Sequence, residues 1–483
     1  MSASRASGRR AAGGGGIVLL LAAALGGGGC GTDGAAPPPP SFVLLVSIDT
    51  LRADHLACYG YDRPTSPRLD AVAREGVLFE QAFSQSAQTL TSHKSIFAAK
   101  YPLTLVAEAT GADLAALAAL EAPLSFTVDC FAGVRESLVS AVREAGWKTA
   151  AFTDGGYVAA ELGFATGWDA FNDEGGGFAG VLARADQWLA AQDLAAPTVL
   201  FLHGYDVHCP YWSRAPFHDL FGGDAASEID FRYLCGKGGF MERELSAGDL
   251  AALHAHYDGS IASTDDYLGL FFDRLAERGL WEEALVVIFA DHGESLGEHG
   301  EVGHGGLYLE QLHVPLLVKF PAAWKVPPGR IRAPVELVDV MPTVLDCLGI
   351  APPAGIDGRS LLPILVRGAP GRRHVVAQTT FQEGRRESGG GVRYVTEPAR
   401  RTILEPGRWQ LVHDARRDAA ELFALSRDPR GLVDLAASDP PELAHLLGAL
   451  AAYDRGDPEA VFRSPDTAGL SPALREELRA IGY

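Results

Sequence analysis

The stretch Leu285-Val286-Val287-Ile288-Phe289-Ala290-Asp291-His292-Gly293-Glu294 is an unbroken apolar run that stops on an acid, an imidazole, a glycine and a second acid. A strand apolar on both faces belongs in a parallel sheet with helices on either side. Phe42–Ile48 has the same form and ends Ser47-Ile48-Asp49. Val199–Leu202 runs into His203-Gly204-Tyr205-Asp206-Val207-His208. Lys148–Phe152 and Val314–Phe320 are further apolar runs, and all five read as buried parallel strands. Helical patterns lie between them. One starts at Ser66-Pro67, a cap followed by a first-turn proline, and stops at Gly76. Others span Glu136–Ala145, stopped by Gly146, and Asp265–Arg278, stopped by Gly279.

Strands alternating with helices predict an α/β domain built on a mostly parallel sheet. From about residue 371 the pattern changes. Gly389–Gly391 reads as a loop, and Val392–Val395, Thr402–Leu404 and Trp409–Val412 as short antiparallel strands. Pro440–Tyr453 reads as a helix. We therefore expect a catalytic domain over residues 42–370 and a smaller C-terminal α+β domain over 371–483.

The N-terminus has the form of a processing segment. Arg5, Arg9 and Arg10 precede the apolar run Ile17–Leu25, which is too short to span a bilayer. Four glycines then lead to Cys30. Residues 1–30 are expected to be a signal peptide of the lipoprotein type, with Cys30 lipidated. Residues 31–41, ending in prolines, are expected to be a tether. That predicts an exported protein held to a membrane by a lipid anchor only. Lys and Arg total 41 against 61 Asp and Glu, a formal charge of −20, which excludes a backbone-gripping nucleic-acid partner. Cys58, Cys130, Cys209, Cys235 and Cys347 are scattered without metal-finger spacing and read mostly as small core residues.

In an open parallel sheet, ligands bind beyond the carboxyl ends of the strands. A lone aspartate there is usually a helix cap or a loop residue. Asp49, His208 and Asp291-His292, each following a separate apolar run, instead point to one shared metal site. The segment Gln88-Thr89-Leu90-Thr91-Ser92-His93-Lys94-Ser95-Ile96-Phe97 adds hydroxyls ahead of a helix. Thr91 or Ser92 fits an ordinary N-cap, whereas Thr89 fits a nucleophile at a helix N-terminus, where amides favour an anion. Spacing alone leaves both readings open. His254 and His256 read as solvent-exposed on a polar helix. His299, with Glu298 and Glu301, reads as a solvated loop.

The run Ser47-Ile48-Asp49-Thr50-Leu51-Arg52-Ala53-Asp54-His55-Leu56, continuing to Thr65-Ser66-Pro67, resembles the opening of the sulfatase family of the alkaline phosphatase superfamily. The resemblance recurs in order through Ala290–Gly300, Gly303-His304-Gly305, His313–Leu316, Val338–Asp346, Asp357–Leu362 and Glu421–Leu425. It implies an alkaline phosphatase-like three-layer sandwich and hydrolysis of sulfuric or phosphoric esters. It implies one divalent metal ion (Ca, Mn or Zn) held by Asp49, Thr89, Asp291 and His292. It places Thr89 as nucleophile. His208 would act on a substrate oxygen or the leaving group, oriented by Asp206, and His304 would touch the transferred group. His93 stands where the family carries the arginine of its nucleophile motif. Position 89 is not the Cys or Ser that sulfatases convert to formylglycine, and Thr cannot be so converted. Thr is the nucleophile of phosphodiesterases and phosphoryl transferases in the superfamily. Thr50, Thr91 and Ala98-Ala99 also depart from the family's Asp, Pro and Thr-Gly. The substrate implied is a small-molecule, glycan or lipid ester. The alternatives are a phosphoryl or phospho-head-group transferase on envelope lipid or glycan, and a catalytically inactive binding protein.

Overall fold

The structure is a computed structural model. It describes residues 38–455 apart from 119–123, 129–136, 194, 212, 223–244, 380, 387–391, 397–399 and 416, with backbone alone for 124–128, 381–386 and 392–396. The expected signal segment and most of the tether lie outside the described residues, as do Cys130, Cys235 and the Gly389–Gly391 loop.

The first part of the chain runs through β1 (Phe42–Ile48), α1 (Pro67–Glu75), β2 (Val77–Phe79) and α2 (Thr89–Ala98). Next come β3 (Lys148–Thr153), β4 (Ala170–Asn172), α3 (Gly177–Ala190) and β5 (Thr198–Gly204). Then follow α4 (Ala247–Glu277), β6 (Ala284–Phe289), β7 (Leu316–Lys319) and β8 (Gly329–Ile331). The eight strands form one sheet in the order β8-β2-β7-β6-β1-β5-β3-β4. Helix α4 contacts both α1 and α3, and α2 contacts Leu138–Glu144 and Val340–Cys347 as a second group. These are the layers of a three-layer sandwich.

Every residue of β1, β5 and β6 is buried. That is why their sequences carry no alternation. One strand breaks the expected pattern. The run Val314–Phe320 supplies β7, which pairs antiparallel with both β6 and β2. An apolar run encodes burial but not direction, so this reversal was not legible. Its leading residues, His313–Val314, pair instead with Ala82–Phe83 in a separate small sheet.

The C-terminal part forms an antiparallel four-stranded sheet of β9 (Val375–Gln378), β10 (Arg400–Glu405), β11 (Trp409–Asp414) and β12 (Ala419–Phe423). Helix α5 (Pro441–Asp454) contacts β10 and β11. The segment around Val392–Val395, expected as a short antiparallel strand, pairs antiparallel with Phe381–Arg386 and with Leu124–Val128 from the first part of the chain, in a separate sheet.

Helix α4 is far longer than the expected Asp265–Arg278. It begins at Ala247 behind a capping box of Ser246 and Asp249. His256, expected to face water, is buried, and His254 is half-buried against His55. Burial of His254 pulls its pKa down to about 4. No helix among the described residues is long and apolar enough to cross a membrane.

Candidate active site

Strand β1 sits between β5 and β6, with Ser47 level with His203 on one side and Phe289 on the other. The carboxyl ends of three neighbouring strands therefore emerge together, which is where an open α/β sheet binds ligands. Asp49 follows β1, Asp291 and His292 follow β6, and all three are fully buried. Thr50 turns the chain away in the left-handed region, φ 55°, its hydroxyl donating to the Asp49 carbonyl at 2.8 Å. A buried β-branched residue in that region is a strained device that tends to persist at functional sites.

Asp49, Asp291 and His292 each offer a ligand atom, and these atoms lie within 4.8 Å of one another. The His292 Nδ1–H donates to the Gly293 carbonyl at 2.9 Å, which leaves Nε2 as a lone pair. That lone pair points between two carboxylates, 3.7 Å from Asp49 and 3.6 Å from Asp291. Asp49 Oδ2 and both Asp291 oxygens are buried with no hydrogen-bond partner. Three buried carboxylate oxygens without partners beside an imidazole lone pair call for a cation or for bound protons. The expected metal group thus fits a divalent ion. Without one, burial and then the Asp291 charge hold the Asp49 carboxyl well above its usual range. Burial likewise pushes Asp291 up to about 7.

Thr89 is the first residue of α2, whose N-cap Gln88 makes no side-chain cap. Its Oγ1 lies 3.3 Å from Asp49 Oδ1 and 3.2 Å from His292 Nε2. It therefore stands against the group expected to hold the metal, at the end of a helix where free amides gather. Neither Thr91 nor Ser92 caps the helix. Ser92 Oγ instead donates to the Asp291 carbonyl at 2.7 Å, tying α2 to the end of β6.

His93 lies one turn below Thr89 and is fully buried. Its Nδ1–H donates to the Thr89 carbonyl at 2.9 Å, and Nε2 meets Ser47 Oγ at 2.9 Å. Burial pulls its pKa down to about 3, so it is a neutral imidazole. A group so placed faces the Thr89 backbone and not the open side of the site.

His208 and His304 meet at the mouth, Nε2 to Nε2 at 3.1 Å. Each Nδ1–H donates to a carbonyl, that of Cys209 at 2.6 Å and that of Ala87 at 2.9 Å. Burial alone would lower the His208 pKa, but Asp49 and Glu294 raise it above the ordinary value. The ring of His304 lies tilted against that of His292, centroids 4.4 Å apart, which brings the pair up to the ligand group. Gln311 holds the His304 loop by accepting from Gly305 and Gly306 at 2.8 and 2.7 Å.

Asp206 does not orient His208. Its Oδ2 accepts from the Phe178 amide at 2.7 Å, so it caps the start of α3. A Cβ on Gly177, at φ +63°, would come within 2.7 Å of that carboxylate, which explains the glycine. Cys209, expected as simple packing, is disulfide-bonded. Glu298, expected in water, is buried and pairs with Arg52 at 3.1 Å, and the His299 ring stacks on Tyr308 at 3.7 Å.

One residue of the site carried no assigned role in the sequence. Glu294 is fully buried, accepts from the Tyr211 hydroxyl at 2.8 Å, and lies near His208 and His304. Its signal was its place, three residues past Asp291.

A family model described as Sulfatase matches residues 41–350. A second, described as N-sulphoglucosamine sulphohydrolase, C-terminal, matches residues 297–447. The multifunctional alkaline phosphatase superfamily protein PehA of Trinickia caryophylli is 30% identical over 284 residues, 53% of this chain and 54% of that protein. Arylsulfatase K of Xenopus laevis is 30% identical over 204 residues, 41% of this chain and 36% of that protein. The chain thus spans 54% and 36% of the length of these relatives. Among solved structures, the phosphonate monoester hydrolase of Agrobacterium radiobacter superposes with a TM-score of 0.66 at 20% identity, covering 87% of this chain and 96% of that one. A protein solved with its substrate D-glucosamine-2-N,6-O-disulfate superposes at 0.63 and 16% identity, covering 88% of this chain and 100% of that one. These structures share the fold, and the family model spans the sheet and the ligand group: the chain belongs to the sulfatase family.

Proposed function

We propose that the protein hydrolyses phosphoric esters in preference to sulfuric esters, with Thr89 as the nucleophile and one divalent metal held by Asp49, Thr89, Asp291 and His292. The observation that carries this reading is the position of Thr89 Oγ1, within 3.3 Å of Asp49 and 3.2 Å of His292 at the first turn of α2. When bound, the metal supplies Lewis-acid charge and favours the ionised hydroxyl.

The chain's own groups then divide the work. Thr89 Oγ1 gives its proton to Asp49 Oδ1 and attacks phosphorus in line. The amides of the first turn of α2 face the charge that gathers on the equatorial oxygens. His208, kept protonated by Asp49 and Glu294, hands its Nε2 proton to the leaving oxygen. His304 lies beside it as a second contact for the transferred group. His93 touches no substrate atom and acts by fixing the Thr89 carbonyl. Water then attacks the phosphoryl group, giving a proton to the now neutral His208, and Thr89 Oγ1 leaves with the proton returned by Asp49 Oδ1.

The preference for phosphorus follows from the residue type. The formylglycine hydrate that the family resemblance implies for sulfatases releases sulfate without ester hydrolysis, and Thr has no such route. The relatives whose names include alkaline phosphatase and phosphonate monoester hydrolase are compatible with this choice. By sequence alone, the protein is exported and lipid-anchored at Cys30. The direct test is mass spectrometry of protein quenched during turnover of a phosphate ester. A phosphoryl group on the peptide carrying Thr89 supports the reading. Its absence with every ester tried overturns it.

A further inference from the structure

The C-terminal part of the chain gathers a cluster of its own. His374 stands just ahead of β9, Glu405 ends β10 and His445 lies in the first half of α5. Each offers a ligand atom, and these atoms lie within 4.8 Å of one another. His374 Nε2 is 3.2 Å from Glu405 Oε1, and His445 Nε2 is 3.5 Å from the same oxygen. Donor atoms bound at about 2.0–2.1 Å around a tetrahedral zinc stand about 3.3 Å apart, so both spacings match edges of that tetrahedron. His374 and Glu405 are buried, and an ion pair between them would engage Oε1 without His445. His445 supplies the independent sign. Its side chain is 36% exposed, so the ring has water within reach. Its Nε2 is nevertheless turned inward, buried, and without a hydrogen-bond partner among the described residues. A ring nitrogen held in that way beside a carboxylate oxygen calls for a cation that engages both. Arg373 and Arg408 also face Glu405, at 3.3 Å from Oε1 and 3.6 Å from Oε2. Ligating carboxylates ordinarily carry such outer contacts, and the two guanidiniums favour the ionised form that binds metal.

We propose that His374, Glu405 and His445 bind a divalent cation of the zinc class that pins α5 to the C-terminal sheet. Two imidazoles and one carboxylate suit zinc, whereas Ca or Mg would call for an all-oxygen set. The exposed flank of His445 leaves the fourth position to water. Helix α5 already packs Leu446, Leu450 and Tyr453 against Val376, Ile403 and Leu411. The cation would add a bond from the residue next to Leu446 to the ends of two strands. The site shares no residue with the group around Asp49 and Thr89, and its role is structural.

The test is equilibrium dialysis of the metal-stripped full chain against zinc, with zinc counted per chain by atomic absorption. His445→Ala and Glu405→Gln are each expected to bind one equivalent fewer than the wild type. The same loss should recur when His445→Ala is added to Asp291→Asn, which separates it from the first metal group. Melting curves distinguish lost binding from lost folding. In chelator, His445→Ala should melt with the wild type, and zinc should raise the melting temperature of the wild type further than that of the variant. An unchanged zinc count in both His445→Ala and Glu405→Gln, which would leave an ion pair only, overturns the proposal. So does a zinc-induced rise no larger in the wild type than in His445→Ala. Neither readout needs turnover, so a failure here leaves the role of Thr89 untouched.

Discussion

The Nδ1–H of His93 donates to the carbonyl of Thr89 at 2.9 Å, one helical turn along α2, while the other ring nitrogen meets Ser47 Oγ at the end of β1. The nucleophile's backbone is thereby tied to the central strand through a neutral, fully buried imidazole. His93→Ala removes that tie and leaves a cavity under Thr89. We expect kcat to fall by about a hundredfold with KM little changed, since misplacing a reacting group by about 1 Å costs that much. His93→Gln, which restores a donor, should recover part of the loss. A KM effect without a kcat effect would place His93 in binding instead.

Ala99 ends α2 in the left-handed region, φ 52°, and its carbonyl accepts from the amides of Asp357 and Gly358 at 2.8 and 3.0 Å. A Cβ is strained there, where the family resemblance implies glycine. Ala99→Gly should stabilise the protein by about 1 kcal/mol in urea unfolding. Unchanged or lower stability would mean that the strain is absorbed elsewhere.

Burial raises the pKa of Asp49, and of Asp291 to about 7, in the metal-free site. The folded metal-free chain holds these protons more tightly than the unfolded chain does. Their stabilisation is therefore complete below the unfolded value of about 4 and is lost as pH rises through about 7. Metal-stripped protein should melt at higher temperature at pH 6 than at pH 8. The metal-loaded protein should reverse that trend, because its ligands must be ionised to hold the ion. Melting curves in chelator and in zinc, at both pH values, check the sign.

Asp265 accepts from the amides of Arg68 and Leu69 at 2.9 and 2.8 Å, in the first turn of α1. Ser66, which precedes the helix, makes no such bond and donates to Asp70 at 3.1 Å. Asp265→Ala should cost about 1–2 kcal/mol, and Ser66→Ala less, in the same unfolding assay. Equal costs would show that Ser66 shares the capping.

The contrast between those two residues shows what the sequence could and could not carry. Its local grammar marked where α1 starts, because a serine and a proline precede the apolar face. The residue that satisfies the helix end comes from a distant helix, and no local pattern names it. Strands β1, β5 and β6 were legible because burial on both faces leaves an unbroken apolar run. Asp49, Asp291 and His292 were legible because each directly follows one of these runs. The length of α4 was not, since Gly259, Ser260, Ser263 and Thr264 look polar and are buried only by neighbours far along the chain. Glu294 and Asp206 are both acids after strands. Only the fold shows that one faces two imidazoles while the other caps α3.

The central claim is that Thr89 is a phosphoryl nucleophile, and the most direct test compares wild type with Thr89→Ala on 4-nitrophenyl phosphate, a 4-nitrophenyl phosphodiester and 4-nitrophenyl sulfate. The account predicts turnover of a phosphate substrate faster than the sulfate, lost by at least about a thousandfold in the variant. Full activity in Thr89→Ala, or sulfate cleavage with both phosphate esters untouched, would contradict it.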